Sequence, residues 1–322
     1  MKIMKKHILL LLTVCIIFSA SCTQKPQKPK EKQEDGLKPM PKVIEEIEKD
    51  TLKIMNQADM VPYFERVIVE KKKIEEDKKI EEMQMSKPAE NANDQKPEEK
   101  PKEMSSSQEQ PKPMTIAESI LTDVLKREEV SSNASETKKP PKDIAEVWKK
   151  INTSIKGLHY KWNILEPLLI QQNITPETIK EFEDTLDNLT KYGIDQNYFD
   201  TLSSANRLTA YLPKFMSYFK TEISPITYTL KYHIRSVVLN SAIGQYSMAQ
   251  EALNKMKEQS QSLKSELIEK KAKSTADKFD ASILNSQKSL DKKDLNLIKI
   301  NASIVMKNVM LMMEDLKNIT TK

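Results

Sequence analysis

The stretch DIAEVWKKINTSIKGLHYKWNILEPLLIQ, residues 143–171, decides the fold class of this 322-residue chain. Its apolar residues recur at spacings of three and four, the period of an α-helix with one buried face. They are Ile144, Val147, Trp148, Ile151, Ile155, Leu158, Trp162 and Leu165. Asp143 stands where an N-cap side chain accepts from the first amides of a helix. The stretch therefore predicts a long helix that begins after Asp143.

Helical patterns continue from this stretch to the end of the chain. Thr175-Pro176-Glu177 combines an N-cap, a proline at the first helical position and an early acid, and it predicts a helix that stops at Gly193. Ser224-Pro225 begins what we expect to be the longest helix, to about residue 271, with Gly244 as a crossing or a break. Further helices are expected at about 197–211, 213–222, 275–289 and 292–318.

The predicted fold class is all-α, an antiparallel bundle of about five to seven helices in residues 143–322. No segment alternates cleanly at period two beside a turn signal, so strands are not expected. The whole chain has four glycines. Glycine-rich phosphate loops and the G-x-S-x-G nucleophile elbow are therefore excluded.

The first part of the chain has a different composition. Twelve of the sixteen prolines precede residue 142. Segments such as 86–113 mix Pro, Lys, Glu, Gln and Ser without apolar periodicity, which favours disorder. Between Phe18 and Trp148 the aromatic residues are Tyr63 and Phe64 alone. We therefore expect residues 22–142 to be a mostly disordered tether and the core to lie at roughly 143–320.

Two pieces of this tether carry helical patterns. Residues 63–85 have dense alternating charge, which predicts a solvated helix or one strand of a coiled coil. Residues 115–130 have capping-box spacing at Thr115 and Glu118 and one apolar stripe, which predicts an amphipathic helix of four turns. Such a helix either docks on the globule of its own chain or is a detachable helix that binds a partner.

The N-terminus has the order of an export signal. Lysines in MKIMKKHILLLLTVCIIFSASC precede a short apolar run, then Ser19-Ala20-Ser21 and Cys22. We expect residues 1–21 to be a lipoprotein signal peptide and Cys22 to be lipidated, which gives a stable membrane anchor. The alternative is an ordinary secretory signal with an incidental cysteine. An apolar run this short does not span a bilayer as a permanent helix.

Charge and residue counts bound the chemistry. Loss of the three signal lysines reduces the formal net charge from +5 to +2, which does not favour nucleic acid as a partner. Both cysteines lie in or next to the signal, so the mature chain has no disulfide or cysteine-based metal site. His159 and His233 have no metal-binding spacing. We expect no catalytic, cofactor or metal residues, and therefore no enzyme.

Four groups of residues invite a functional interpretation beside a structural one. His159 with Tyr160 and Trp162 suggests a ligand pocket. The tyrosines of the middle region suggest a protein interface. Met310–Met313 suggests a binding face. Four acids on one helix suggest a carboxylate metal site. In each case we expect the structural role, in the core or on a solvated face. The tyrosines are Tyr211, Tyr218, Tyr228, Tyr232 and Tyr246, and the acids are Glu181, Glu183, Asp184 and Asp187.

The lipobox SASC, the tether and the Lys/Asn/Ile-rich helical C-terminus together resemble plasmid-encoded outer-surface lipoproteins of Borrelia. These are paralogous α-helical families, and the lipobox is the residue-level match. The resemblance implies an outer-membrane protein that faces the cell exterior and binds a host or vector protein, such as a complement regulator or extracellular matrix. The alternative is a periplasmic lipoprotein with a structural or assembly role in the envelope. Neither the partner-binding residues nor the oligomeric state follow from the sequence.

Overall fold

A computed structural model describes residues 36–85, 114–128 and 141–318 of the chain. Most of these residues are helical, and they contain no strand beyond a single bridge between Pro39 and Lys220. The helices are α1 (Lys42–Asp59), α2 (Val61–Met85), α3 (Thr122–Leu125), α4 (Ile144–Gln171), α5 (Pro176–Ile194), α6 (Tyr198–Thr209), α7 (Leu212–Met216), α8 (Pro225–Ala242), α9 (Tyr246–Glu269), α10 (Lys273–Lys292) and α11 (Leu295–Asn318).

The all-α class is confirmed, but the expected helix count is too low. Nine helices of twelve residues or more lie in the described residues, against the five to seven predicted. Two of the nine, α1 and α2, precede residue 142. The expectation counted helices only after Asp143, because it located the core by aromatic residues.

Helix α4 begins as its sequence predicts. The Asp143 carboxylate accepts a hydrogen bond of 2.9 Å from the Glu146 amide, and so closes the first turn. The whole predicted stripe apart from Ile144 is buried, and Ile144 packs against the core. Trp162 lies on this stripe, 4.3 Å from the Phe182 ring between ring centroids. The spacing of apolar residues was therefore sufficient to identify the buried face.

Helix α5 begins where the sequence predicts, but it ends differently. Thr175 caps it and Pro176 is its first residue. Gly193 is not the stop, because the helix continues through it to Ile194. The left-handed residue beyond the helix is Gln196, with φ of 56°. A Cβ at position 193 would lie 2.6 Å from both Asn152 Oδ1 and Ile155 Cδ1, so the glycine allows α5 to approach α4 closely.

The expected long helix after Ser224-Pro225 is wrong, and the alternative of a break at Gly244 is confirmed. Helix α8 ends at Ala242 and α9 begins at Tyr246. Gly244 has φ of 74°, a left-handed conformation that costs glycine little. The two helices then pack against each other, and α8 also packs against α11.

The boundary at residue 142 does not divide the described fold. Helix α1, which we placed in the disordered tether, packs on α4 and α6 and joins the same hydrophobic core. Ile44, Ile47, Ile54 and Met55 are among its fully buried residues. The core therefore begins near residue 43, because an aliphatic stripe without aromatics buries apolar area just as well.

The predicted helix at 63–85 is present as α2, with Val67 and Ile68 buried near its start and an exposed second half. The four-turn helix expected at 115–130 is wrong. The described residues 114–128, which we call the strap, form two 3₁₀ turns around the short helix α3. Ser119 is extended, with φ of −129° and ψ of 154°, and interrupts the helical run. Leu121, Val124 and Leu125 are buried, so the strap docks on its own chain.

Several expectations fall on residues outside the described ranges. They are the signal peptide 1–21, the lipidated Cys22 and the tether segments 22–35, 86–113 and 129–140. Among the described helices, α11 alone is long and apolar enough to cross a membrane, over Leu295–Lys317. Half of that stretch is buried against the chain, which is typical of a core helix.

Candidate functional site

A groove of about 380 Å³ runs between α4 and α5. The two helices run in opposite directions here, since Ile155 meets Gly193 and His159 meets Thr190. The His159 Nε2 and Thr190 Oγ1 atoms are 2.8 Å apart, which ties the walls together. The lining residues are Asn152, Ile155, Lys156, His159, Tyr160, Thr190 and Ile194.

The rim of this α4–α5 groove is apolar and is left exposed by the residues that the structure describes. Tyr160 is 63% exposed and Ile194 is 66% exposed. Ile164, one turn beyond Tyr160 on α4, is 58% exposed. The Lys156 ammonium lies 5.8 Å from the centre of the Tyr160 ring, within the range of a cation–π contact. The groove therefore offers apolar contact area with one positive charge beside it.

The three neighbours His159, Tyr160 and Trp162 do not form one pocket. His159 and Tyr160 line the groove, whereas Trp162 faces the core. The Trp162 indole Nε1 donates to Glu183 Oε1 at 3.2 Å, which satisfies its polar end. Residue 162 lies about 200° around the helix axis from residue 160, which places Trp162 and Tyr160 on opposite sides of α4.

Two of the four predicted acids of α5 lie at a second, polar cleft of about 330 Å³ between α5 and α6. Glu181 and Asp184 line it together with Asp200 and Arg207, while Glu183 and Asp187 do not. Asp184 is paired with Lys180 at 2.6 Å on an exposed surface. No group of three or more metal-ligating side chains is found among the described residues.

The tyrosines of the middle region are not gathered on one surface. Tyr211 is buried and packs edge-on against Phe182. Tyr228 is buried under the Lys231 ammonium, and burial raises the pKa of its hydroxyl. Tyr246 donates to the Lys293 carbonyl at 3.2 Å. Within the methionine run, Met312 is fully buried, whereas Met310 and Met313 are only partly buried.

A buried charge cluster that the sequence did not predict lies at the strap. The Arg235 guanidinium, 1% exposed, donates to both Glu128 oxygens at 2.6 and 2.7 Å. It also donates to Asn206 Oδ1 at 2.7 Å and to Thr209 Oγ1 at 2.9 Å. Lys231 Nζ lies 3.3 Å from the same Glu128 carboxylate and bonds to Glu48. These bonds join the strap to α1, α6 and α8.

Asp59 forms a second buried contact with the strap. Its carboxylate accepts from the amides of Ile120, Leu121 and Thr122 at 2.7, 2.9 and 2.6 Å. The Thr122 and Tyr198 hydroxyls donate to it at 2.7 and 3.2 Å. Burial raises the pKa of Asp59, and these hydrogen bonds oppose the rise.

The side chain of Lys299 in α11 binds backbone carbonyls of the strap. Its ammonium donates to the Ile116 carbonyl at 2.8 Å and to the Ser119 carbonyl. Burial lowers the pKa of this ammonium, and the nearby Asp59 and Asp123 carboxylates act in the opposite direction. The contact holds the turn before α3 against α11.

A signal for these residues was present in the sequence. Lys231 and Arg235 are one turn apart in a helix whose neighbours are mostly apolar, and Lys299 interrupts the run LNLIKINASIVM. A lone cation inside an apolar helix is either exposed by rotation or buried with a partner. The partners of these cations lie in other parts of the chain, and a local sequence pattern does not show which parts those are.

No protein-family model, curated protein or solved structure significantly matches the chain.

Proposed function

We propose that this chain is an outer-membrane lipoprotein, anchored through lipid at Cys22, that binds a host or vector protein at the cell surface. We further propose that its helices form an antiparallel bundle and that it catalyses no reaction. The N-terminal order of lysines, apolar run, small residues and cysteine supports the anchor. Complement regulators and extracellular matrix are candidate partners by resemblance to Borrelia surface lipoproteins.

The observation that carries the binding function is the uncovered rim of the α4–α5 groove. Apolar side chains clustered at a concave site mark protein-binding surfaces more often than scattered ones do. Tyrosine is also enriched among residues that dominate binding energy. Lys156 favours a partner that presents an apolar side chain beside a carboxylate.

A pull-down from host serum or matrix extract tests the groove. We expect the lipid-free chain to retain a partner, and Tyr160→Ala to weaken that binding about 30-fold, the effect of a hot-spot residue. The matched control is Ile300→Ala, an exposed apolar residue on α11 that is 45% exposed. Equal binding by the two variants, with unchanged melting curves, would remove the groove from the proposal.

Two measurements on cells test the anchor and the location. Labelled fatty acid should be incorporated into the wild-type chain but not into Cys22→Ser. Proteinase K added to intact cells should digest the protein. Resistance until the outer membrane is disrupted would instead indicate the periplasmic role in the envelope.

A further inference from the structure

The strap, residues 114–128, is bound like a ligand. Residues 86–113 join it to α2 and residues 129–140 join it toward α4. Its partners lie on helices distant in the chain, chiefly α1, α8 and α11. The strap is therefore a separate segment of the chain from the helices that bind it.

One part of the contact between the strap and the helices is made by the backbone of the strap. Three consecutive amides, those of Ile120, Leu121 and Thr122, converge on the Asp59 carboxylate. Two strap carbonyls accept from Lys299. Backbone contacts of this kind do not depend on side-chain identity, so they would hold another peptide in the same conformation.

The other part of this contact is made by a few side chains of the strap. Leu121, Val124 and Leu125 are fully buried, which supplies apolar contact. Glu128 places a carboxylate with no exposed surface against Arg235 and Lys231. The spacing between the amide cluster at Thr122 and this carboxylate is six residues.

The surface under the strap is complementary to a peptide of this chemistry. It presents one buried carboxylate, Asp59, and the buried cations Lys231, Arg235 and Lys299. Buried charges that lose their partners cost several kcal/mol. A peptide that covered this surface without the same groups would leave these charges buried and unpaired, so a replacement has to supply the same groups.

We propose that this surface is a peptide-binding site that the strap occupies as a resident ligand, and that an acidic peptide of a partner protein replaces the strap there. The fitting peptide presents three consecutive unpaired amides, buried aliphatic side chains and a carboxylate six residues beyond the last amide. This site is separate from the α4–α5 groove and does not depend on the proposed function.

The test uses the full chain with one protease site in 86–113 and another in 129–140, so that cleavage leaves every named contact in place. A fluorescent peptide of residues 114–128 is added at about 10 µM. While attached, the strap has an effective concentration of about 1 mM, so the peptide should occupy about one site in a hundred of the uncut chain. After cleavage it should occupy most sites, as measured by anisotropy.

Two variant peptides provide the control. Glu128→Gln should bind at least about a hundredfold more weakly, because Arg235 and Lys231 lose a buried charged partner. Arg127→Gln changes an exposed side chain of the strap and should bind within a few-fold of the parent peptide. No exchange into the folded cut chain, or equal binding of the Glu128→Gln peptide, would overturn the proposal.

Hydrogen exchange on the intact chain gives an independent test that requires no cleavage. If the strap is a replaceable ligand, the amides of Ile120, Leu121 and Thr122 should exchange by local opening, at least tenfold faster than those of Val237 and Val238 in α8. Exchange of both groups at the rate of global unfolding would mean that the strap is an inseparable part of the core, and the proposal would fail.

Discussion

A pair of identical substitutions tests the contact that forms the floor of the α4–α5 groove. Gly193→Ala places a Cβ 2.6 Å from Asn152 Oδ1 and from Ile155 Cδ1, so both side chains must move. Gly157→Ala, in the interior of α4, meets only Asp50 Oδ2 at 3.8 Å, an ordinary contact. The same added methyl group therefore has opposite consequences at the two positions.

The magnitudes follow from two opposing effects. Alanine in a helix interior is favoured over glycine by about 1 kcal/mol, and this gain applies in full at position 157 but only in part at position 193, the next-to-last residue of α5. Overpacking at a close contact costs about 1–3 kcal/mol, and this cost applies at position 193 alone. We expect Gly157→Ala to raise the free energy of unfolding by up to about 1 kcal/mol, and Gly193→Ala to lower it by about 1 kcal/mol.

Urea unfolding followed by circular dichroism measures both values against the wild-type chain. Because Asn152 and Ile155 line the groove, Gly193→Ala should also weaken partner binding, whereas Gly157→Ala should not. Stabilisation of both variants by the same amount would refute the close approach of α5 to α4.

Further predictions concern ionisable groups, both buried and exposed. Burial lowers the pKa of His233 to about 4, below about 6.5 in the unfolded chain, so only the unfolded state gains a proton as the pH falls between these values. About 3 kcal/mol of stability should be lost from pH 7 to pH 4, and His233→Gln should remove that slope in urea melts, whereas Val237→Ala should keep it. Glu128→Gln should destabilise by about 3–5 kcal/mol. Asp184→Asn, at an exposed pair, should leave the urea midpoint unchanged.

The helix starts could be predicted because their signals are local. Asp143 caps α4, and Thr175-Pro176 opens α5, through contacts within four residues of each other. Gly244 marks the break before α9 for the same reason, since a left-handed φ is a property of one residue. The end of α5 was predicted one residue early, and the role of Gly193 was missed because this glycine serves a contact between helices. Sequence spacing does not reveal which neighbour a glycine meets.

The role of α1 was missed for a different physical reason. Its stripe of Ile44, Ile47, Ile54 and Met55 has helical spacing, but the surrounding Pro, Lys and Glu made the region similar in composition to a tether. Burial depends on whether a complementary surface exists elsewhere in the chain. That surface is supplied by α4 and α6, which lie about a hundred residues or more away in sequence.

The buried charges of the strap site are better explained by specificity than by stability. Replacing such a network with apolar residues is often neutral or stabilising, so the charges need another reason to be present. Asp59 accepts from three consecutive amides, and Glu128 meets Arg235 six residues later. A shift of the strap by one residue would move the Thr122 hydroxyl away from Asp59 and the Glu128 carboxylate away from Arg235, and would leave charges buried without partners. The network therefore selects one register for a segment whose apolar residues alone would fit several.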